Sequence, residues 1–470
     1  MSAPATTEKK YLKWYQKLAY GSGDLASNCS YGLVSSFVLL YLTGTLGLDS
    51  AIIGSLMLAS KVLDGISDVI FGTLIDRTHS KLGKARPWML FGQVGVSLCL
   101  FLLFAIPAGS TTMQYIYFFI VYTALNAVFY TANGIAYSSL VALITKNNNE
   151  RVQLGSFRFM FAVVTNIFMG FAVTGMVEKF GSGAAGWRTT ALIFAIVGLV
   201  VNTISCLAVK ELPEEELSGN TSEAAEEGKA VAEEKKHGFA ETAKILVHNK
   251  YYLMILAIYI VYYIMSNLTT GAGVFCATYY WGDGSLLGQF SMMKMFPVII
   301  ALAIAPVLIK KTGSMQKVNF WGYAISSVLG IPMIYFAMQK NLSMFLLFMF
   351  IKGIFAGTLS GSLNALIAEA SGYTTRTTGI HMDGMMYSCS SLGVKVGGGI
   401  GTAAVGWLLK LGGFVGTATV QSESAIRMIF NLYITFPFVI GIIITVLLAF
   451  LDVEKANKKW DAEHQKEAQV

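Results

Sequence analysis

The sequence predicts an all-helical membrane protein with about twelve spans, and three observations carry that prediction. Hydrophobic residues make up 54% of the chain and charged residues only 13%, against about 25% charged in a soluble domain. Apolar stretches of about 20 residues, each long enough to cross a bilayer as a helix, recur from end to end. Lys and Arg gather in alternate short loops, which sets an orientation.

In chain order the spans are expected near 24–47, 51–76, 87–107, 113–144, 152–177 and 187–209, then 250–281, 286–309, 318–338, 341–369, 379–411 and 425–451. The stretch Met1–Lys17 is polar and basic, with no cleavable signal pattern. One set of loops holds Lys9, Lys10, Lys13 and Lys17, then Arg77, Lys81, Lys84 and Arg86, then Lys146 and Arg151. It continues through Lys310, Lys311, Lys317 and Arg376 to Lys455, Lys458 and Lys459. The opposite loops hold little beyond Lys179, Arg188, Lys340 and Lys410. Both termini are therefore expected in the cytoplasm, with the chain in the cell membrane. The net charge of +7 then reflects orientation and gives no reason to expect a nucleic-acid partner. Glycine is frequent (47) and proline rare (8), as suits close-packed helices with few kinks. The five cysteines all lie in apolar segments without a CxxC pair, so they read as small core residues.

An acidic, low-complexity linker, Glu211 to His237, separates the sixth and seventh spans. The expected organisation is a six-helix half over 1–209, a cytoplasmic linker over 210–249, a second half over 250–451 and a tail over 452–470. A short echo supports two repeats: Val141-Ala-Leu-Ile-Thr145 closes the fourth span and Asn364-Ala-Leu-Ile-Ala368 the tenth.

The second span departs from the apolar pattern, because it carries Lys61, Asp64 and Asp68. Asp64 and Asp68 are one turn apart and share a helix face, and Lys61 falls beside them. Charges at membrane depth are costly and face a bundle interior or water. Two carboxylates one turn apart can chelate Na⁺ or share a proton, with the Ser67 hydroxyl and a Thr from a neighbouring helix as further oxygen ligands. The alternative is an ion-pair network with Lys61 or Lys395 that only fixes packing.

Downstream, Gly72-x-x-x-Asp76-Arg77 leads to Gly83-Lys84-x-Arg86-Pro87-Trp88. The first run resembles the loop signature of the major facilitator superfamily. With Asp64-x-x-x-Asp68 upstream, the whole resembles the glycoside–pentoside–hexuronide:cation symporter family. That resemblance implies the major facilitator fold with two pseudo-symmetric halves, and cation-driven uptake of a glycoside. Tyr130-Thr-Ala-Asn-Gly-Ile-Ala-Tyr137 is similar to the family segment in which a Thr joins the cation site, here Thr131, and polar residues line the sugar pocket, here Asn133 with Tyr137. The sequence departs from the pattern at Gly134 and Ala136. Asn28 occupies the place of a sugar-binding Asp, the alternative being an interhelical hydrogen bond, with Asp24 one turn earlier expected to be structural. Arg158 matches an Arg near the bound sugar, although it could also snorkel to the interface. Lys395 matches an intramembrane Lys that partners the second-span carboxylates, and the sugar is expected beside the cation, between Asn28, Arg158 and Lys395, with Asp64 also in reach. The resemblance gives Asp76, Arg77, Arg376 and Asp383 gating or structural roles at the cytoplasmic side.

Lys294 and Lys352 lie outside the family pattern. If both face a cavity, they suit an anionic solute such as a hexuronide or glucuronide; otherwise Lys294 snorkels and Lys352 makes a local pair. No nucleophile–base pair, metal cluster or phosphate loop is present, so no enzyme is expected. The expected partners are a sugar or glycoside, Na⁺ or H⁺ as coupling cation, and the lipid bilayer, with no other cofactor and a monomeric carrier. The competing readings are a same-fold carrier of a non-sugar amphiphile such as a lysolipid, and a non-transporting sensor.

Overall fold

The computed structural model describes residues 9–213, 216, 245–380, 383–418 and 420–467, the side chains of 383–384 and 465–467 excepted. The described residues form helices and no strand. Among the described residues, eleven helices are long and apolar enough to cross a membrane. They include α1 (Trp14–Thr45), α3 (Arg86–Leu103), α4 (Thr111–Ile144), α5 (Asn148–Lys179) and α6 (Gly183–Leu207). After the linker come α7 (Lys250–Trp281), α8 (Leu286–Thr312), α9 (Met315–Met338), α10 (Leu342–Thr378) and α11 (Asp383–Leu411). The last span, α12, comprises Glu423–Phe430, Asn431–Thr435 and Phe436–Phe450, and α13 (Val453–Glu467) follows it. The remaining long helix, α2 (Ser50–Asp76), has 27 residues but carries the charges noted above. Counting it gives twelve.

Polar N-caps start many of these helices. Asp49 accepts from the N–H of Ala51 at 2.9 Å, Asn147 from Glu150 at 3.1 Å, and Asn249 from Tyr251 at 2.9 Å. Each satisfies donors that a helix start leaves open. At the other end of α10, Gly379 takes a left-handed conformation (φ 71°) that glycine adopts without steric cost. It therefore closes α10 where the sequence suggests a span beginning at 379. The first helix also starts earlier than expected, at Trp14, because Trp14–Gly21 is an amphipathic turn-in whose Trp14 is 75% exposed.

The chain forms two compact units. The first comprises Met1–Gly219 with Ala277–Gly288 and Gly406–Ile426; the second comprises Asn220–Cys276, Gln289–Val405 and Arg427–Val470. Each has its own packed centre, around Tyr20, Met89, Tyr137 and Leu154 in the first and around Tyr259, Leu366 and Ile444 in the second. A closing device recurs in both. After α6, the Glu211 carboxylate accepts from the backbone N–H groups of Lys84, Ala85 and Arg86 at 2.7–3.0 Å, at the start of α3. After α12, the Glu454 carboxylate accepts from Met315 at 2.8 Å and Gln316 at 3.2 Å, at the start of α9. An anion on the positive end of a helix is favourable twice over, by hydrogen bonding and by the helix dipole. Much of the expected linker, 210–249, lies outside the described residues.

Candidate cation and solute site

The second helix sorts its residues by face. Val62, Ile66, Val69 and Ile70 are 52–73% exposed, an apolar side suited to lipid. Lys61, Asp64, Ser67 and Asp68 are only partly exposed. Lys61 Nζ lies 3.5 Å from Asp64 Oδ2, a loose pair. The Thr131 hydroxyl of α4 lies 2.7 Å from Asp64 Oδ1 and donates to it. Ser67 donates its hydroxyl proton to the Asp64 backbone carbonyl at 2.9 Å, which leaves the oxygen lone pairs available to a cation.

Local backbone geometry explains where Thr131 sits. The seven residues Ala124–Tyr130 form a π-helical turn inside α4. Such a turn carries one residue more than an α-turn and is frequent at functional sites. Here the backbone N–H and the hydroxyl of Thr131 both reach back to the Asn126 carbonyl, the hydroxyl at 2.9 Å. A hydroxyl has one proton, so Thr131 serves either Asn126 or Asp64 at a given moment. When it serves Asn126, its oxygen is a neutral ligand next to a carboxylate.

A second polar group surrounds Arg158 of α5. Arg158 Nε donates to Asp24 Oδ2 at 2.6 Å, and its guanidinium stacks 4.2 Å over the Tyr137 ring. Asn28 donates to the Asp24 backbone carbonyl at 2.7 Å and accepts from Asn166 Nδ2 at 2.9 Å. Arg158 keeps 25% of its side chain exposed and Asp24 keeps 18%, and the guanidinium is tied to that carboxylate of α1. Asp24 is thus a partner of the expected sugar-contacting Arg, a role that sequence reasoning did not assign to it. Asn166 was missed altogether; its signal was the i, i+8 spacing from Arg158 on α5.

Two of the expected solute contacts are engaged in helix packing. Asn133 is 3% exposed and donates to the Met89 carbonyl at 2.8 Å. Tyr137 is 2% exposed and donates to the Tyr20 carbonyl at 2.8 Å. Both side chains give a hydrogen bond to a backbone carbonyl of a neighbouring helix. Asp76 and Arg77 are exposed at the end of α2. Arg376 makes a fork to α13, with Nε 3.0 Å from Asp461 and Nη1 3.1 Å from Asn457. Asp383 opens α11, but its side chain lies outside the described residues. Lys395 is partly exposed on the α11 portion that belongs to the second unit.

Lys294 and Lys352 both line a cavity of about 180 Å³ inside the second unit. Lys294 Nζ lies 3.3 Å from Thr269 Oγ1 and 3.2 Å from Thr270 Oγ1. All five cysteines are buried free thiols.

These helices, with ionisable groups confined to a few interior faces, define a polytopic membrane carrier. The chain belongs to the major facilitator superfamily, in the family described as MFS/sugar transport protein, whose model matches residues 19–455. It is 26% identical to the isoprimeverose transporter of Lactiplantibacillus pentosus, over 100% of this chain and 96% of that one. It is 23% identical to the glucuronide carrier protein homolog of Escherichia coli (strain K12), over 86% and 85% respectively. Among solved structures it resembles a D-xylose-proton symporter with TM-score 0.64 at 12% identity, covering 94% of this chain and 98% of the other. That likeness concerns the fold.

Proposed function

We propose that this carrier is a sugar symporter driven by a monovalent cation, with the cation at Asp64, Asp68 and Thr131 and Ser67 as an auxiliary ligand. The observation that carries this reading is the Thr131 hydroxyl on Asp64, one turn from Asp68, on the sheltered face of a helix whose other face is apolar. Lys61, Asp64 and Asp68 together bear one positive and two negative charges, a net of −1 that one Na⁺ or H⁺ neutralises. A divalent ion would overshoot. Loading the cation therefore removes the charge that resists movement through a low-dielectric interior.

The glycoside sits at Asn28 and Arg158, whose amide and guanidinium suit sugar hydroxyls. Asp24 neutralises Arg158 and fixes its plane. Hexuronides stand among the candidate solutes, supported by the likeness to a glucuronide carrier homolog. The protein spans the cell membrane twelve times, α2 included, with both termini in the cytoplasm. The amphiphile-carrier and sensor readings have no observation in their favour.

The test is solute uptake by proteoliposomes holding the purified protein, with Na⁺, Li⁺ or H⁺ gradients imposed in turn. One of the cations should accelerate glycoside entry, and Asp68→Asn should abolish that acceleration. Undiminished coupling in Asp68→Asn would defeat the reading.

A further inference from the structure

The cavity of the second unit shares no lining residue with the cation site described above. Every residue lining it belongs to the second unit, whereas Asp64, Asp68 and Thr131 belong to the first. Its construction follows from a glycine stripe on α10. A Cβ on Gly353 would stand 2.8 Å from Pro297 Cβ, and one on Gly357 would stand 2.7 Å from Ala301 Cβ. The bare backbone of α10 therefore lies directly against α8. The Met293 carbonyl oxygen is 3.6 Å from the same Gly353 position. Lys294 follows Met293 and Lys352 precedes Gly353, so the two lysines flank one point of helix contact and both reach the cavity.

No Asp or Glu lines this cavity. The helices walling it are α7, α8, α9, α10 and the segments Asn431–Thr435 and Phe436–Phe450 of α12. Between them they carry a single carboxylate, Glu369. Glu369 lies about 25 Å along α10 from Lys352 at 1.5 Å per residue, where it accepts from Asn457. Lys294 has only the two threonine hydroxyls, and Lys352 has no hydrogen bond or ion pair among the described residues. The first unit is built differently: Lys61 has Asp64, Lys17 has Glu150, and Arg158 has Asp24. Two ammonium groups that share an apolar chamber repel each other and lack the counter-charge that interior cations ordinarily have. Phe345, Met349 and Tyr433 supply an apolar wall, and the Ser326 hydroxyl adds a neutral donor.

We propose that this chamber binds a small organic carboxylate, with the anionic group between Lys294 and Lys352 and the body of the molecule against the Phe345–Met349 wall. The shared chemistry has two sources: a sugar acid from the aqueous phase or a short fatty acid from the bilayer. The site stands whether or not cation coupling at Asp64 and Asp68 is correct.

The test uses the full chain in lipid nanodiscs and reads reductive methylation of each lysine by mass spectrometry. The probes are matched pairs, D-glucuronate with D-glucose and hexanoate with 1-hexanol. At least one carboxylate should slow methylation of both Lys294 and Lys352 at least fivefold, while its neutral counterpart does not. Protection by glucuronate alone identifies the aqueous source, and protection by hexanoate alone the bilayer. Lys352→Met should weaken the protection at Lys294 at least tenfold in ligand concentration, with Lys352→Arg restoring most of it. Asp68→Asn should leave protection intact. Equal protection by neutral and charged probes, none by either carboxylate, or loss of protection in Asp68→Asn would each overturn the proposal. The unmodified protein alone decides the first two outcomes, so the test survives a variant that fails to fold.

Discussion

Thr131 is the residue on which the first unit's chemistry turns. Its hydroxyl has two acceptors, the Asn126 carbonyl and Asp64 Oδ1, and a cation beside Asp64 would favour the first. Thr131→Val keeps the shape and removes the oxygen. Losing an oxygen that supports a bound ion costs about tenfold to a hundredfold in affinity, so cation affinity should fall by roughly that much while the protein still folds. Cation titrations of uptake would measure this, and an unchanged half-saturating concentration would place the ion elsewhere. Arg158→Lys keeps the charge but loses the planar fork. The expected outcome is weaker solute binding with cation stimulation retained, measured as a raised KM for uptake. The acidic face of α2 was legible from spacing alone, because charges at i and i+4 in an apolar helix have few places to go. The burial of Asn133 and Tyr137 was not. A polar side chain on an inward face can meet solute or another helix, and only the neighbour, here Met89 or Tyr20, decides between them.

At the scale of helices and loops, the start of α2 is held in three ways. Asp49 caps it, Ser50 donates to the Gly406 carbonyl at 2.9 Å, and Lys410 lies 2.6 Å from Asp49 Oδ2. Partial burial pushes the Asp49 carboxyl upward, but the Lys410 hydrogen bond, the N–H groups of Ala51 and Ile52 and the Lys410 charge outweigh it. The group is held below its ordinary value of 3.8. A lowered carboxyl contributes stability that is complete above pH 3.8 and is lost as the pH falls through the folded-state value. Lys410 is 58% exposed, so solvent and salt screen the pair. Asp49→Asn keeps a capping side chain and should flatten the acid limb of a thermal-stability profile, with little change at pH 7. The α8–α10 contact is less forgiving. Gly357→Leu would drive a side chain into Ala301 and should destabilise by about 1–3 kcal/mol, read as a lower unfolding midpoint. The glycine-rich composition predicted close helix packing in general. It did not indicate that Gly353 and Gly357 bring Lys294 and Lys352 to one chamber, since that depends on which face of α8 they meet.

Across the whole molecule, the repeat glimpsed in one short sequence echo has a counterpart in the carboxylates of Glu211 and Glu454, each capping the third helix of its set of six. Hydropathy found the eleven apolar spans of the described residues because the bilayer forces lipid-facing segments to be apolar. It missed the amphipathic start of α1, which is polar enough to look like a tail. Glu211→Ala would leave the N–H groups of Lys84, Ala85 and Arg86 without their acceptor and should cost about 1–3 kcal/mol, again as a lowered midpoint. The two compact units do not follow the chain's midpoint, because Ala277–Gly288 and Gly406–Ile426 come from its second part yet belong to the first unit. A fragment ending at Gly219 would consequently lack pieces of its own body and should misassemble when made alone. Supplied in the same cell with the remainder of the polypeptide, it would recover them by complementation, and a gene cut in two there should still yield a working carrier.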